Sequence, residues 1–196
     1  MKVRIFIDFW NFQLTLNEQS RGFKLDWAKL SPWLVQAASN LVGQPLNFEG
    51  TMVYISHDPR SENDRRLHHW ALNVLDRFTG VHVTVLERKP KRAHVCQNCH
   101  NMISLCPHCN APVAAMVEKG VDTSIVTDLL SLAWEDAWDV AILVSSDRDF
   151  IPAVKLLHTK GFKVINAHFP PKGMDLARNC WASIDLRTAL PDIVRL

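Results

Sequence analysis

Short, nearly continuous apolar runs alternate with stretches of helical periodicity along most of the chain. Residues 3–7 (VRIFI) read as a buried strand, and residues 51–56, 81–86, 139–145 and 163–168 repeat the pattern, so about five strands are expected. Helices are predicted between them, at residues 11–17, 26–40, 61–78, 121 to about 136, and about 149 to 159. Pro32 should disturb the second helix. Ser61, with Asp64 three residues on, should cap the third, while Gly80 and Gly161 should end the third and fifth. A short helix near 174–179 and a tail complete the chain. Near-continuous apolar strands separated by helices predict an α/β fold, a parallel sheet covered on both faces. The pattern lapses between residues 88 and 119, which read as an insertion in one domain spanning 1–196.

In open parallel sheets, ligands bind beyond the carboxyl ends of the strands, at a topological switch point. Two predicted strands run into carboxylates there: the first ends Ile7-Asp8-Phe9-Trp10-Asn11, the fourth Ser145-Ser146-Asp147-Arg148-Asp149. Asp122, after Gly120 at a helix start, reaches the same edge if that helix feeds the fourth strand. Taken singly, each of these aspartates reads as well as a helix cap or a dipole partner, Asp149 before Phe150-Ile151-Pro152 most of all. Together they favour function, since carboxylates crowded in one cleft repel unless a cation neutralises them, and hard oxygen donors select Mg²⁺ or Mn²⁺. Asn11, Ser145 and Ser146 are expected to hold a carboxylate, a phosphate or a water. Asp128 lies six residues after Asp122 and so on another helical face. A supporting contact, or one to a helix N-terminus or basic residue, is expected for it. Asp136 and Asp139 read as turn residues.

The insertion changes the picture most. Cys96-x2-Cys99 and Cys106-x2-Cys109 have metal-ligand spacing, and four thiolates suit a closed tetrahedral Zn²⁺ site of zinc-ribbon type. Iron suits the same ligands, and His94, His100 and His108 are substitute donors. Cys180 stands alone and reads as a core residue. The insertion opens on a basic run. Arg88, Lys89, Lys91 and Arg92, with Arg148 at the proposed site, are candidate phosphate contacts, and Arg60, Arg65 and Arg66 form a weaker patch. His68 and His69 read as ordinary helix residues, and Trp10 as packing or a stacking platform for a base.

Composition adds only bounds. The chain has 196 residues, 47% hydrophobic and 21% charged, in keeping with one globular domain. A net charge of +2 leaves nucleic-acid binding to local patches. No secretory leader pattern opens the chain and no apolar stretch reaches the ~18 residues of a membrane span. A soluble cytoplasmic protein, where spaced cysteines bind metal sooner than form disulfides, is expected.

Four segments, IFIDFWNF (5–12), EKGVDTSIVTDLLSLA (118–133), DVAILVSSDRDFIPAVKLL (139–157) and KGFKVINAHF (160–169), resemble the NYN domain, a branch of the PIN-like nuclease superfamily, in order and spacing. The resemblance spans nearly the whole chain outside the cysteine segment. It implies a PIN-like parallel sheet and metal-dependent cleavage of RNA, with Asp8, Asp122 and Asp147 as metal ligands and Asn11 and Asp149 in support. The family pattern has Gly at the position of Ser146, which bears on the loop but leaves both aspartates in place. The expected function is a ribonuclease using Mg²⁺ or Mn²⁺, with a structural Zn²⁺. A non-catalytic RNA- or nucleotide-binding module and a zinc-knuckle adaptor for a protein partner are the alternatives. RNA against DNA, and a homodimer against a monomer, stay open.

Overall fold

The computed structural model describes residues 1–90, 94–96, 98–110 and 116–195. The five expected strands are present: β1 (Lys2–Asp8), β2 (Asn47–His57), β3 (Val81–Glu87), β8 (Val140–Val144) and β9 (Lys163–His168). The expected tail supplies a sixth, β10 (Ala182–Asp185), in which Ile184 alone is buried. All pair in parallel, in the order β10-β9-β8-β1-β2-β3. The chain winds one way from β1 to β3 and the other way from β8 to β10. The switch point therefore lies between β1 and β8, where Ile7 pairs with Val144.

Alternation along β1 divides the core. Val3, Ile5 and Ile7 enter one cluster with α1 (Phe9–Gln19), α2 (Trp27–Val42), α3 (Glu62–Asn73) and the terminal turn α7 (Leu190–Ile193). Phe6 enters the other with α4 (Val121–Trp134), α5 (Ile151–Thr159) and the short α6 (Met174–Ala177). Each fully buried aliphatic side chain contributes about 1.5–3 kcal/mol, so both faces of β1 are firmly clamped. Asp8 lies on the face of α4, at the edge where that clamp ends.

Several boundaries differ from the expected ones, β2 among them, which starts at Asn47 rather than at residue 51. The helix begun at Ser61 stops at Val74 (φ −122°, ψ −60°) and gives way to a 3₁₀ turn, Leu75–Arg77. There the Asp76 carboxylate accepts the N–H of Val83 in β3 at 2.7 Å. Pro32 does not break α2, which runs on to Val42 and ends at Gly43 in the left-handed region, φ 79°. Helix α1 begins directly after Asp8, two residues before the expected start.

The insertion leaves the sheet through a two-stranded neck. Strand β4 (Lys89–Pro90) pairs antiparallel with β7 (Met116–Val117), Lys89 opposite Val117. Within it, β5 (His94–Val95) pairs with β6 (Met102–Ile103). Among the described residues no helix is long and apolar enough to cross a membrane.

Candidate metal centre

The end of β1 and the start of α1 are one device. Asp8 closes the strand and caps the helix, accepting the Asn11 N–H at 3.3 Å. Its second oxygen takes the Ser145 hydroxyl, 3.3 Å away, and the Ser145 oxygen accepts the Asp147 N–H at 3.2 Å. Asn11 uses its side-chain oxygen to hold the Ser146 N–H at 2.7 Å. Asn11 was expected to hold a ligand or carboxylate; its observed partner is the loop that carries the next aspartates. From β9, the buried Asn166 amide donates to the carbonyls of Leu143 and Ser145 at 3.0 and 2.8 Å. Ser146, at the position where the resembled family pattern has Gly, is accommodated without positive φ. Among the described non-glycine residues only His100, Asn110 and Asp136 have positive φ.

Asp147 caps the 3₁₀ turn Arg148–Phe150, accepting the Asp149 N–H at 2.9 Å. The capping role expected of Asp149 thus belongs to Asp147, and Asp149 stands exposed on the rim. Asp122 sits in the first turn of α4, after Gly120 (φ 91°), and opens to solvent at the mouth of the cleft.

Electrostatics joins these carboxylates. Burial pushes the Asp8 carboxyl up from its ordinary 3.8 to about 7, and the charges of Asp122 and Glu118 add to it. The Asn11 N–H and the Ser145 hydroxyl oppose the rise. Asp122 is raised by the protein mass on its inner side, then by Asp147, Glu118 and Asp149. The four expected aspartates therefore share one field. Among the described residues, however, no three His, Cys, Asp or Glu side chains are grouped as a ready-made cage for one ion.

Glu118, just before α4, lies in the EKGVD segment, where local sequence gives it no site role. Its charge acts on both Asp8 and Asp122, and its carboxylate accepts the Ser56 hydroxyl. Of the contacts expected for Asp128, the structure shows a supporting one rather than one to a helix N-terminus or basic residue. Its carboxylate accepts the Tyr54 hydroxyl at 2.8 Å, tying α4 to β2 beside Asp8, the in-register partner of Tyr54.

The candidate phosphate contacts separate. Arg88 is engaged inward: Nε donates to the Ser56 hydroxyl at 3.0 Å, and its guanidinium lies 3.5 Å from Asp64 and 3.9 Å from Glu118. It also lies 5.0 Å from the Trp10 ring centroid. Trp10 in turn donates to the Ser56 carbonyl at 2.6 Å, a packing role. Arg148 is exposed and lines a cavity of about 430 Å³ with Ser146, Asp147, Gly173, Met174 and Asp175. Gly173 (φ 79°) allows that loop to approach, since a Cβ there would lie 3.1 Å from Ser146 Cα. Lys89 is exposed in the neck, and Lys91 and Arg92 lie outside the described residues. Arg60 and Arg66 pair with Asp58 and Glu62. His68 stacks on His57 with ring centroids 4.5 Å apart.

Both cysteine pairs form the same turn. His100 N–H donates to the Cys96 carbonyl at 2.8 Å and Asn110 N–H to that of Cys106 at 2.9 Å, with His100 and Asn110 left-handed at φ 56° and 57°. The N–H groups of Cys99 and Asn98 lower the Cys96 thiol, and those of His108 and Cys109 lower Cys106. Burial pushes Cys180 up to about 12, as suits a thiol packed against the core.

A family model described as NYN domain matches residues 2–187. No curated protein matches the sequence. Among solved structures, a Vibrio parahaemolyticus protein of unknown function is similar, with 18% identity and a TM-score of 0.59, covering 99% of this chain and 96% of that one. At that identity the likeness concerns the fold.

The raised Asp8 carboxyl fixes a sign. The folded chain keeps this proton longer than the unfolded chain. Metal-free protein therefore loses stability as pH rises from the ordinary 3.8 through about 7. Asp8→Asn keeps a capping oxygen and removes the charge. In urea unfolding without divalent cation it should stabilise the protein at about pH 8 by roughly 1–4 kcal/mol and flatten the pH dependence below that. A variant no more stable than wild type, with the same pH dependence, would contradict the electrostatic load assigned to Asp8.

Proposed function

The chain belongs to the NYN domain family, and from that premise we propose that it is a metal-dependent ribonuclease hydrolysing RNA phosphodiester bonds at the β1–β8 switch point. The observation that carries this reading is the Asp8 carboxyl, buried at the switch point and bonded to the Ser145 hydroxyl of the loop that carries Asp147. Such a cleft gains most from a divalent cation, and its donors, all carboxylates, suit Mg²⁺ or Mn²⁺. Asp8, Asp122 and Asp147 would hold it. When bound, the cation supplies Lewis-acid polarisation of the phosphodiester and makes water a stronger nucleophile.

The chain's own groups do the rest. Ser145 orients one Asp8 oxygen and the Asn11 N–H the other. Asn11 also pins Ser146, so the loop bearing Asp147 cannot drift from the strand end. Asp149, exposed on the rim, completes the site or orients the attacking water. Arg148 beside the cavity takes a substrate phosphate, with Lys89 contributing along the neck. Arg88 is engaged with Ser56, Asp64 and Glu118 and is not part of this phosphate surface.

We further infer that Cys96, Cys99, Cys106 and Cys109 hold one structural Zn²⁺. In each pair the backbone N–H groups favour the thiolate, the form that binds zinc. A zinc site of four thiolates suits a reducing compartment, and a cytoplasmic location is proposed on that ground.

Cleavage of a labelled single-stranded RNA with Mn²⁺, abolished by EDTA, is the expected activity. Asp147→Asn keeps shape and cap and should lower the rate about 10³-fold, several kcal/mol of transition-state stabilisation. RNA that binds without turnover in wild type would replace the nuclease reading by a binding module. Elemental analysis should find one zinc per chain, lost in Cys96→Ser/Cys99→Ser; a wild-type chain without zinc would sink the structural-zinc reading.

A further inference from the structure

Arg88 and Glu118 flank the neck of the insertion. Arg88 immediately precedes Lys89, Glu118 immediately follows Val117, and Lys89 and Val117 are opposite each other in the neck. The two residues therefore face one another where the insertion meets the sheet. Both converge on Ser56 of β2, whose hydroxyl donates to Glu118 while Arg88 Nε donates to the same hydroxyl oxygen at 3.0 Å. The guanidinium is enclosed, its side chain 25% exposed, between the Trp10 ring, Asp64 and Glu118. The Arg88 N–H also donates to the His57 carbonyl at 2.8 Å, so the backbone at the neck is fixed to β2.

A residue placed this way serves badly as a phosphate contact, since its donors already point inward. It serves well as a fixed positive charge beside a crowded acidic cleft. Glu118 is the group through which that charge reaches the cleft: it faces Arg88 and accepts the hydroxyl of Ser56, two residues beyond Tyr54, the in-register partner of Asp8, and its charge adds to the load on Asp8 and Asp122.

We propose that Glu118 is a further carboxylate of the cation cleft and that Arg88 is its built-in counter-ion, holding Glu118 at the neck of the insertion when no divalent cation is bound. Arg88 is thus a positioning residue, and the insertion's neck is part of the cleft wall. This rests on the metal-centre reading given above. A cation entering the cleft competes with Arg88 for the same carboxylate. The two residues therefore act on cation affinity with opposite signs, which a merely structural role would not produce.

The test is titration of Mn²⁺ into the full chain, with free Mn²⁺ followed by electron paramagnetic resonance. Glu118→Gln should weaken binding about tenfold, and Arg88→Gln should strengthen it about fivefold, in the usual range for coupled groups. The double variant should match Glu118→Gln alone, because Arg88 acts through Glu118. Arg88→Lys, which keeps the charge, should stay near wild type. Should Arg88→Gln fail to fold, Glu118→Gln still decides, since that side chain is 35% exposed and its loss leaves the core intact. Unchanged affinity in Glu118→Gln, or strengthening by Arg88→Gln of equal size with and without Glu118, overturns the proposal while leaving the metal centre in place. A wild-type chain that binds no Mn²⁺ overturns the metal centre and the counter-ion role together.

Discussion

Repulsion between like charges at the carboxyl edge of the sheet governs the arrangement around it. Burial raises the cost of ionising Asp8 and Asp122, and like charges add to it: those of Asp122 and Glu118 at Asp8, those of Asp147, Glu118 and Asp149 at Asp122. Left alone, such groups would swing apart into water. They are held by backbone that cannot follow them: β1 and β8 are adjacent parallel strands with both faces packed, and Asp122 enters on a helix anchored by Val121, Ile125 and Leu129.

The polar bonds around the cleft complete that restraint. Asn11, Ser145 and Asn166 tie the loop after β8 to β1 and β9 through bonds of 2.7 to 3.3 Å. None of the three needs to touch a substrate to matter. They fix the backbone of the sheet edge, so that only the carboxylate side chains have to move to close on a cation. Tyr54 and Asp128 do the same for α4, and Arg88 and Ser56 for the neck of the insertion.

Much of this was legible in the sequence because it follows from local pattern. The buried strands declare themselves by apolar runs, and the aspartates by their place where those runs end. What escaped depends on contacts between distant segments. β10 is an edge strand with a single buried residue, Ile184, and four residues whose only apolar positions are Ala182 and Ile184 look like tail. The stretch from Ser61 to Phe78 keeps helical spacing throughout, so nothing local marks the change to a 3₁₀ turn at Val74. The bond from Val83 to Asp76 that accompanies it comes from another strand. Arg88 looked like one of a run of solvated cations, and only the folded chain shows it enclosed by Trp10, Asp64 and Glu118. Glu118 stood in view four residues before Asp122, but what matters about it is its nearness to Asp8, 110 residues away in sequence.

The cation centre at the switch point is the claim on which the functional reading turns, and anomalous diffraction from crystals soaked in Mn²⁺ tests it most directly. An anomalous peak bounded by the carboxylates of Asp8, Asp122 and Asp147 is the expected result, with those side chains drawn together around it. Manganese bound only elsewhere on the molecule, with this cleft empty at saturating concentration, would contradict a metal centre at the strand ends.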